Sequence, residues 1–239
     1  MTDTSASTSL AALIRSSLLL QTGVARLSHC RRFTVIYAAG SPADRIFFVE
    51  SGLVKLCKRG DDGKEIVLHI VSPGELFGEQ SVLFNTTQDL SAEVMESGTI
   101  YSIPRDLFLN FCHSQREMWS QFAQFVLQQS RRLERRVELL CLKDVEQRIL
   151  LTLLDLAQSI GSAAANPGEY AIPLSQSELA SYIGATRETT STTLNMLERR
   201  GIIQLGRRLL IIPSLTAVAA ATQPEPETPG VRKATAALA

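Results

Sequence analysis

Arg187, Glu188, Ser191, Thr192 and Asn195 recur at helical spacing on one face. Their chemistry suits a surface that reads another polar surface. An arginine there can pair bidentately with a guanine edge and a glutamate can accept from cytosine. Short hydroxyl and amide side chains can reach base edges in a major groove. Arg199, Arg200, Arg207 and Arg208 follow within ten residues, around the apolar runs 201–205 and 209–212. Guanidinium groups at that density suit phosphates.

Such a face needs elements to hold it. Ser175 and Glu178 stand at capping-box spacing, which predicts a helix starting at Ser175. Leu179 and Ile183, four apart, give that helix an inner side. Gly184 ends it and permits a sharp turn. Thr186 can cap a second helix running to about Arg200, with Thr190, Thr193, Leu194 and Leu197 turned inward. Gly206 marks a hairpin turn between two short strands. Periodicity alone fits an ordinary amphipathic helix with a solvated face equally well; the arginine-bearing hairpin favours a helix-turn-helix followed by a wing.

The stretch LSQSELASYIGATRETTSTTLNMLERRGII and the short wing after it resemble the winged-helix DNA-binding domain of the CRP/FNR family of bacterial regulators. Thr190 departs from the pattern, since Val or Ile is common there. The candidate DNA-contacting set also takes in the helix starts Ser175, Gln176, Ser177 and Thr186.

Between residues 33 and 103 the pattern changes to short apolar runs (33–37, 46–49, 53–57, 66–71, 90–95 and 99–103) separated by Gly, Pro, Ser and Asp. Many short strands with regular turns predict a sandwich or barrel. The segments YAAGSPADRIFFVESGLVKL, PGELFGEQSVL and LSAEVMESGTIYSIP resemble the jelly roll of cyclic-nucleotide-binding domains. The expected fold is α+β: an N-terminal β jelly roll (double-stranded β-helix), a long dimerisation helix and a C-terminal winged helix-turn-helix. The expected divisions are 1–112 for the arm and effector domain, 113–143 for the dimerisation helix and hinge, 144–216 for the winged helix, and 217–239 for a disordered tail rich in proline. Residues up to about 9 are Ser/Thr-rich and expected to be mobile, with a short helix over 10–20. Trp119, Phe122, Val126, Leu133, Val137 and Leu140 form a near-heptad stripe on the long helix. In the resembling family this helix pairs with its twin, which implies Trp119, Val126, Leu133, Val137 and Leu140 as the dimer seam.

The same resemblance implies an effector pocket. Its candidate residues are His69, Gly78, Glu79, Gln80, Ser81, Leu90, Ser91, Ala92, Leu133 and Glu134. Glu79 matches a ribose-binding Glu and Ser91 a phosphate-binding hydroxyl. The residue before Ser91 should be the Arg that neutralises a cyclic phosphate, yet it is Leu90, preceded by Asp89. Leu133 and Glu134 stand where the family offers hydroxyls to adenine. The pocket is therefore read as emptied of cAMP or retuned to another effector. An iron–sulfur cluster is not expected, since only Cys30 lies near the N-terminus, and haem is not expected, since Gly78-Glu79-Gln80 lacks Cys and His. No cofactor or metal is assigned.

The 239 residues suffice for two domains, and 45% hydrophobic content supports packed cores. Net charge is zero, and between residues 145 and 216 six arginines face six acids, so the DNA reading rests on clustering rather than totals. No apolar run reaches the ~20 residues that span a bilayer, and no signal peptide is read. Cys30, Cys57, Cys112 and Cys141 are scattered, as in a reducing compartment. No nucleophile, zinc or P-loop motif points to an enzyme. The expectation is a cytoplasmic homodimeric regulator that binds a two-fold-related operator and, as an activator, RNA polymerase. A protein-interaction module with a degenerate winged helix is the second reading, and a cupin-like oxygenase the third.

Overall fold

The computed structural model describes residues 9–17, 25–163 and 168–223. The Ser/Thr-rich start, residues 18–20 of the first predicted helix, residues 164–167 of the polar loop and the tail after 223 lie outside these. Helix α1 (Leu10–Ser16) is capped by Ser9 and buries Leu10 and Ile14. It ends earlier than expected: Ser17 is extended, and its hydroxyl donates to the Ile14 carbonyl at 2.6 Å. A serine side chain competing for a helix carbonyl favours the end of a helix over its continuation.

Eight strands make the jelly roll: β1 (Arg26–Cys30), β2 (Val35–Tyr37), β3 (Arg45–Val49), β4 (Leu53–Arg59), β5 (Glu65–Val71), β6 (Leu76–Phe77), β7 (Ser91–Glu96) and β8 (Gly98–Pro104). They form two antiparallel sheets, ordered β1-β8-β3-β6 and β2-β7-β4-β5. Side chains alternate between two clusters: Val54, Phe77 and Val94 pack with Val49, Val71, Ala92 and Ile100 from both sheets, while Phe48, Leu76 and Ile103 pack with the helix residues Ile14, Phe108 and Phe122. Periodicity missed β1, which is half-exposed along its length, and β6, which has two residues. It also missed α2 (Glu79–Phe84), which begins directly after Gly78 at φ +82°. Phe33, expected in a strand, takes φ +69° instead.

One irregularity shapes the pocket. Leu56 pairs with His69 and Cys57 with Val67, so Leu68 bulges from β5. A bulge leaves one residue unpaired and re-aims its neighbours. Leu68 and His69 consequently both line one cavity, and the Leu68 carbonyl is free to accept from another element.

Helix α3 (Arg105–Ser114) follows Pro104, and extended Gln115 separates it from α4 (Arg116–Leu142). Lys143 is extended, and Asp144 caps α5 (Val145–Ser159) by accepting the Gln147 N–H at 2.8 Å. The two halves of α4 differ. Met118, Phe122 and Phe125 are buried against the barrel and α3. Beyond Phe125 the apolar residues Val126, Leu133, Val137 and Leu140 are 42%, 47%, 59% and 39% exposed. Trp119 does not continue that exposed stripe. It is half-buried edge-on against Phe122 and His113, because it precedes the point where α4 leaves the barrel.

The C-terminal unit comprises α5, β9 (Ser162–Ala163), β10 (Tyr170–Ile172), α6 (Gln176–Ile183), α7 (Arg187–Arg199), β11 (Gln204–Gly206), β12 (Leu209–Ile212) and α8 (Leu215–Ala221). Its four strands run in the order β11-β12-β10-β9. Ile149, Leu153, Leu179, Leu194, Leu197 and Ile203 form its core. Two expectations are corrected. Gly206 is the last residue of β11 and pairs with Leu209; the turn is Arg207-Arg208, with Arg208 at φ +58°. The folded unit does not stop at 216, because α8 carries the fully buried Val218 against that core.

Candidate nucleic-acid interface and effector pocket

Ser175 Oγ accepts the Glu178 N–H at 3.2 Å and the Glu178 carboxylate accepts the Ser175 N–H at 2.8 Å, completing the predicted capping box. Gly184 takes φ +65°, and a Cβ there would stand 3.0 Å from Leu140 Cδ2, so both backbone and space ask for glycine at this turn. Thr186 accepts the Thr189 N–H at 3.1 Å and starts α7. Thr190 is fully buried where an aliphatic residue is usual; its hydroxyl donates to the Thr186 carbonyl at 2.8 Å, so no polar group is stranded.

The outer face of α7 lies as expected. Arg187, Glu188, Thr192 and Asn195 are exposed and Ser191 is half-buried at the edge. Among the described residues none of these five side chains has a hydrogen bond or ion pair within the chain. Ser177 is exposed and Gln176 half-buried at the start of α6.

The four arginines expected to meet phosphates divide. Arg199 and Arg207 are exposed and have no partner among the described residues. Arg200 is held by Glu146 at 2.5 Å. Arg208 pairs with Glu178 at 3.0 Å. Glu178 also receives Arg32 from the barrel at 3.2 Å, and both guanidinium groups lie over the Phe33 ring, at 5.2 and 5.0 Å from its centroid. Burial pushes the Glu178 carboxyl upward, but bonds from Ser175 and the two arginine charges outweigh that and hold it below its usual range. The wing is thus latched to the loop before β2. Spacing along the chain carries no sign of this, because Arg32 and Glu178 are far apart in sequence.

A cavity of about 250 Å³ lies inside the jelly-roll mouth. Of the expected pocket residues, His69, Gly78, Glu79, Gln80, Leu90 and Leu133 line it, and Ser91, Ala92 and Glu134 do not. Ser91 Oγ accepts the Ala39 N–H at 3.0 Å, Ala92 is buried in the sheet core, and Glu134 is exposed beside Ser130. The Ser81 side chain lies outside the described set. The face of α4 that meets the cavity is Gln129, Arg132, Leu133 and Arg136, a 3–4 helical repeat. Leu133 falls within that repeat and Glu134 does not.

Arg132 pairs with Glu75 at 2.6 Å. Burial pushes Glu75 upward, yet His69, Arg132 and the Ser72 N–H hold its carboxyl down at about 2. Glu79 shows the opposite balance, since burial, reinforced by Glu75, raises it to about 7. Arg136 donates to the Leu68 carbonyl at 2.7 Å and to the Tyr182 carbonyl, and lies 4.5 Å from the Tyr182 ring centre. Tyr182 belongs to α6, so the DNA-binding unit forms part of the pocket wall. His69 Nε2 is 3.7 Å from Glu75, too far for a hydrogen bond. No cluster suited to a metal occurs among the described residues. None of their helices is long and apolar enough to cross a membrane.

Residues 27–115 match the cyclic nucleotide-binding domain family, and residues 147–221 match the Crp-like helix-turn-helix domain. The chain is 32% identical over 180 residues to the CRP-like cAMP-activated global transcriptional regulator of Mycobacterium tuberculosis, covering 75% of this chain and 80% of that one. It is 28% identical over 207 residues to the nitrogen fixation regulation protein FixK of Azorhizobium caulinodans, covering 79% and 82%. The solved structure of FixK2 from Bradyrhizobium japonicum shares the fold, with a TM-score of 0.72 at 24% identity over 82% of this chain and 96% of that one. With both domains matched in order and the reading helix exposed, the chain belongs to the CRP/FNR family of DNA-binding transcription regulators.

Proposed function

We propose that this regulator acts as a homodimer on a two-fold-related operator, and that cAMP is not its switch. The bare apolar stripe Val126, Leu133, Val137 and Leu140 supports the pairing, since a helix face so exposed in one chain is covered by a second copy. Two recognition helices would then sit about 34 Å apart, one DNA turn. In this reading Arg187, Glu188 and Ser191 meet bases, while Arg199 and Arg207 meet phosphates. Operator DNA places the work in the cytoplasm, and at an activated promoter the protein partner would be RNA polymerase.

The observation that carries the effector reading is the pair Asp89 and Leu90 in the cavity wall, where the family's cyclic phosphate meets an arginine. An acid and an alkyl group there repel or ignore a phosphate that an arginine would hold. The named activity of the M. tuberculosis relative favours cAMP as the second reading, and Arg132 and Arg136 in the cavity wall give that reading a source of positive charge. Both arginines, however, are already engaged within the chain.

Three measurements test these points. Sedimentation should show a dimer, and Leu133→Arg or Val137→Arg should separate it; a stable dimer for both variants would place the seam elsewhere. Anisotropy with selected operator DNA should be unmoved by micromolar cAMP. A micromolar dissociation constant by calorimetry, together with tighter operator binding, would overturn the effector reading.

A further inference from the structure

A second cavity of about 520 Å³ lies between the C-terminal half of α4, the end of β5, α5 and α6. It adjoins the jelly-roll pocket, sharing His69, Arg132, Arg136 and Tyr182 with it. Five guanidinium groups line it: Arg131, Arg132, Arg135 and Arg136 from α4, and Arg148 from α5. Asp155 is the one acid in the lining. Arg132 is paired with Glu75 and Arg136 is engaged by two carbonyls, so the charge left over is that of Arg131, Arg135 and Arg148, which repel one another unless something of opposite sign lies among them.

The internal partners do not use these donors up. The Arg131 side chain has no hydrogen bond or ion pair among the described residues. Arg135 has only long contacts, 3.7 Å to Glu138 and 3.9 Å to Asp155. Arg148 donates through Nη1 to the Ile183 carbonyl, but its Nε is buried with no hydrogen-bond partner. A buried donor left unpaired is costly, so the Arg148 Nε beside the free Arg131 and the loosely held Arg135 points to a ligand in this cleft. At about 100° per residue, Arg131 and Arg135 stand on the side of α4 away from Val126, Leu133 and Val137; of the stripe only Leu140 lines the cleft, so a second copy there borders it at Leu140 and leaves the Arg131 and Arg135 side open.

We propose that this interdomain cleft binds a small phosphate-bearing anion, which bridges α4 to α5 and holds the winged helix in the latched orientation. The guanidinium groups of Arg131, Arg135 and Arg148, which share this lining, suit a multivalent phosphate. With Glu178 tying Arg208 to Arg32 and Phe33, the latched orientation withholds part of the wing from DNA, so a ligand that prefers it lowers DNA affinity. Only this last step rests on the DNA-binding reading.

The test is calorimetry of the full chain with inorganic pyrophosphate at constant ionic strength. Saturable binding near one per chain is expected. Arg131→Gln and Arg148→Gln, which line this cleft and not the jelly-roll pocket, should weaken it at least about tenfold. Arg131 is exposed, so its variant folds even if the Arg148 variant does not. Arg187→Ala and Arg207→Ala should bind as wild type. Absence of saturable heat, or a loss confined to the Arg187 and Arg207 variants, would overturn the site; citrate binding as tightly as pyrophosphate would overturn the phosphate assignment. Pyrophosphate should also weaken operator binding by wild type and not by Arg131→Gln. Unchanged operator affinity in wild type would overturn the coupling, while calorimetry reads the site whether or not DNA binds.

Discussion

On the outer face of α7, Arg187, Glu188, Thr192 and Asn195 have no partner within the described chain. In the jelly-roll pocket the reverse holds: Glu75 takes Arg132 at 2.6 Å, two carbonyls take Arg136, and Glu79 is kept from ionising freely by burial. Both regions are rich in polar groups, but one leaves its donors for an outside partner and the other uses many of them to hold barrel, helix and winged unit together. The wing stands between these cases, with Arg207 free and Arg208 latched. Free polar groups on a rigid scaffold are the mark of recognition; paired ones crossing a domain boundary are the mark of a coupling element.

The sharpest way to break the contrast is to remove the scaffold under the free face. Leu194→Ala would empty a fully buried site in the core beneath α7 and cost about 2–5 kcal/mol of stability, read by thermal or urea unfolding. A loss under about 1 kcal/mol would show that the face is not held by this core.

The pocket is next. The folded-state pKa of Glu79 is raised from 4.5 to about 7, so its contribution is fully present below about 4.5 and is lost as pH rises through about 7. Relative to Glu79→Gln, wild type should lose on the order of 3 kcal/mol across that window and stay level above it. Parallel stability–pH curves for the two proteins would contradict the burial argument.

At the reading face itself, Arg187→Ala should cost about 1–3 kcal/mol of operator affinity and relax specificity at one base pair per half-site. A uniform loss across all sequences would instead mark Arg187 as a phosphate contact. The smallest effect belongs to the latch. Arg32→Ala removes the barrel's ion pair to Glu178 and should raise DNA affinity by no more than about fivefold, roughly 1 kcal/mol. Affinity equal to wild type would mean that the latch does not oppose DNA binding.

Local chemistry made much of the DNA-binding unit legible from sequence. The capping box at Ser175 and Glu178, the glycine at 184, the Thr186 cap and the 3–4 spacing of Leu194 and Leu197 are decided within a few residues of each other, so spacing along the chain is enough to read them. Most of the short strands between residues 33 and 103, the long helix and the break at Lys143 were legible for the same reason, while β1 was missed because it is half-exposed. The two-residue β6 and the short α2 were not, being too brief to show a period.

The pocket and the wing were decided by tertiary structure. Which residues of α4 face the cavity depends on the rotation of that helix against the barrel, and that rotation brings in Arg132 and Arg136 while excluding Glu134. The use of Arg208 depends on Arg32 and Phe33 arriving from the other domain. The sequence by itself determined a helix-turn-helix with a readable outer face and a run of short strands fit for a sandwich or barrel, because caps, glycines and periodicity act locally; the jelly roll and the arginine missing before Ser91 were what the family resemblance implied. Which arginines remain free to meet a partner only the folded chain decided, because ion pairs form between residues that are distant in sequence and close in space.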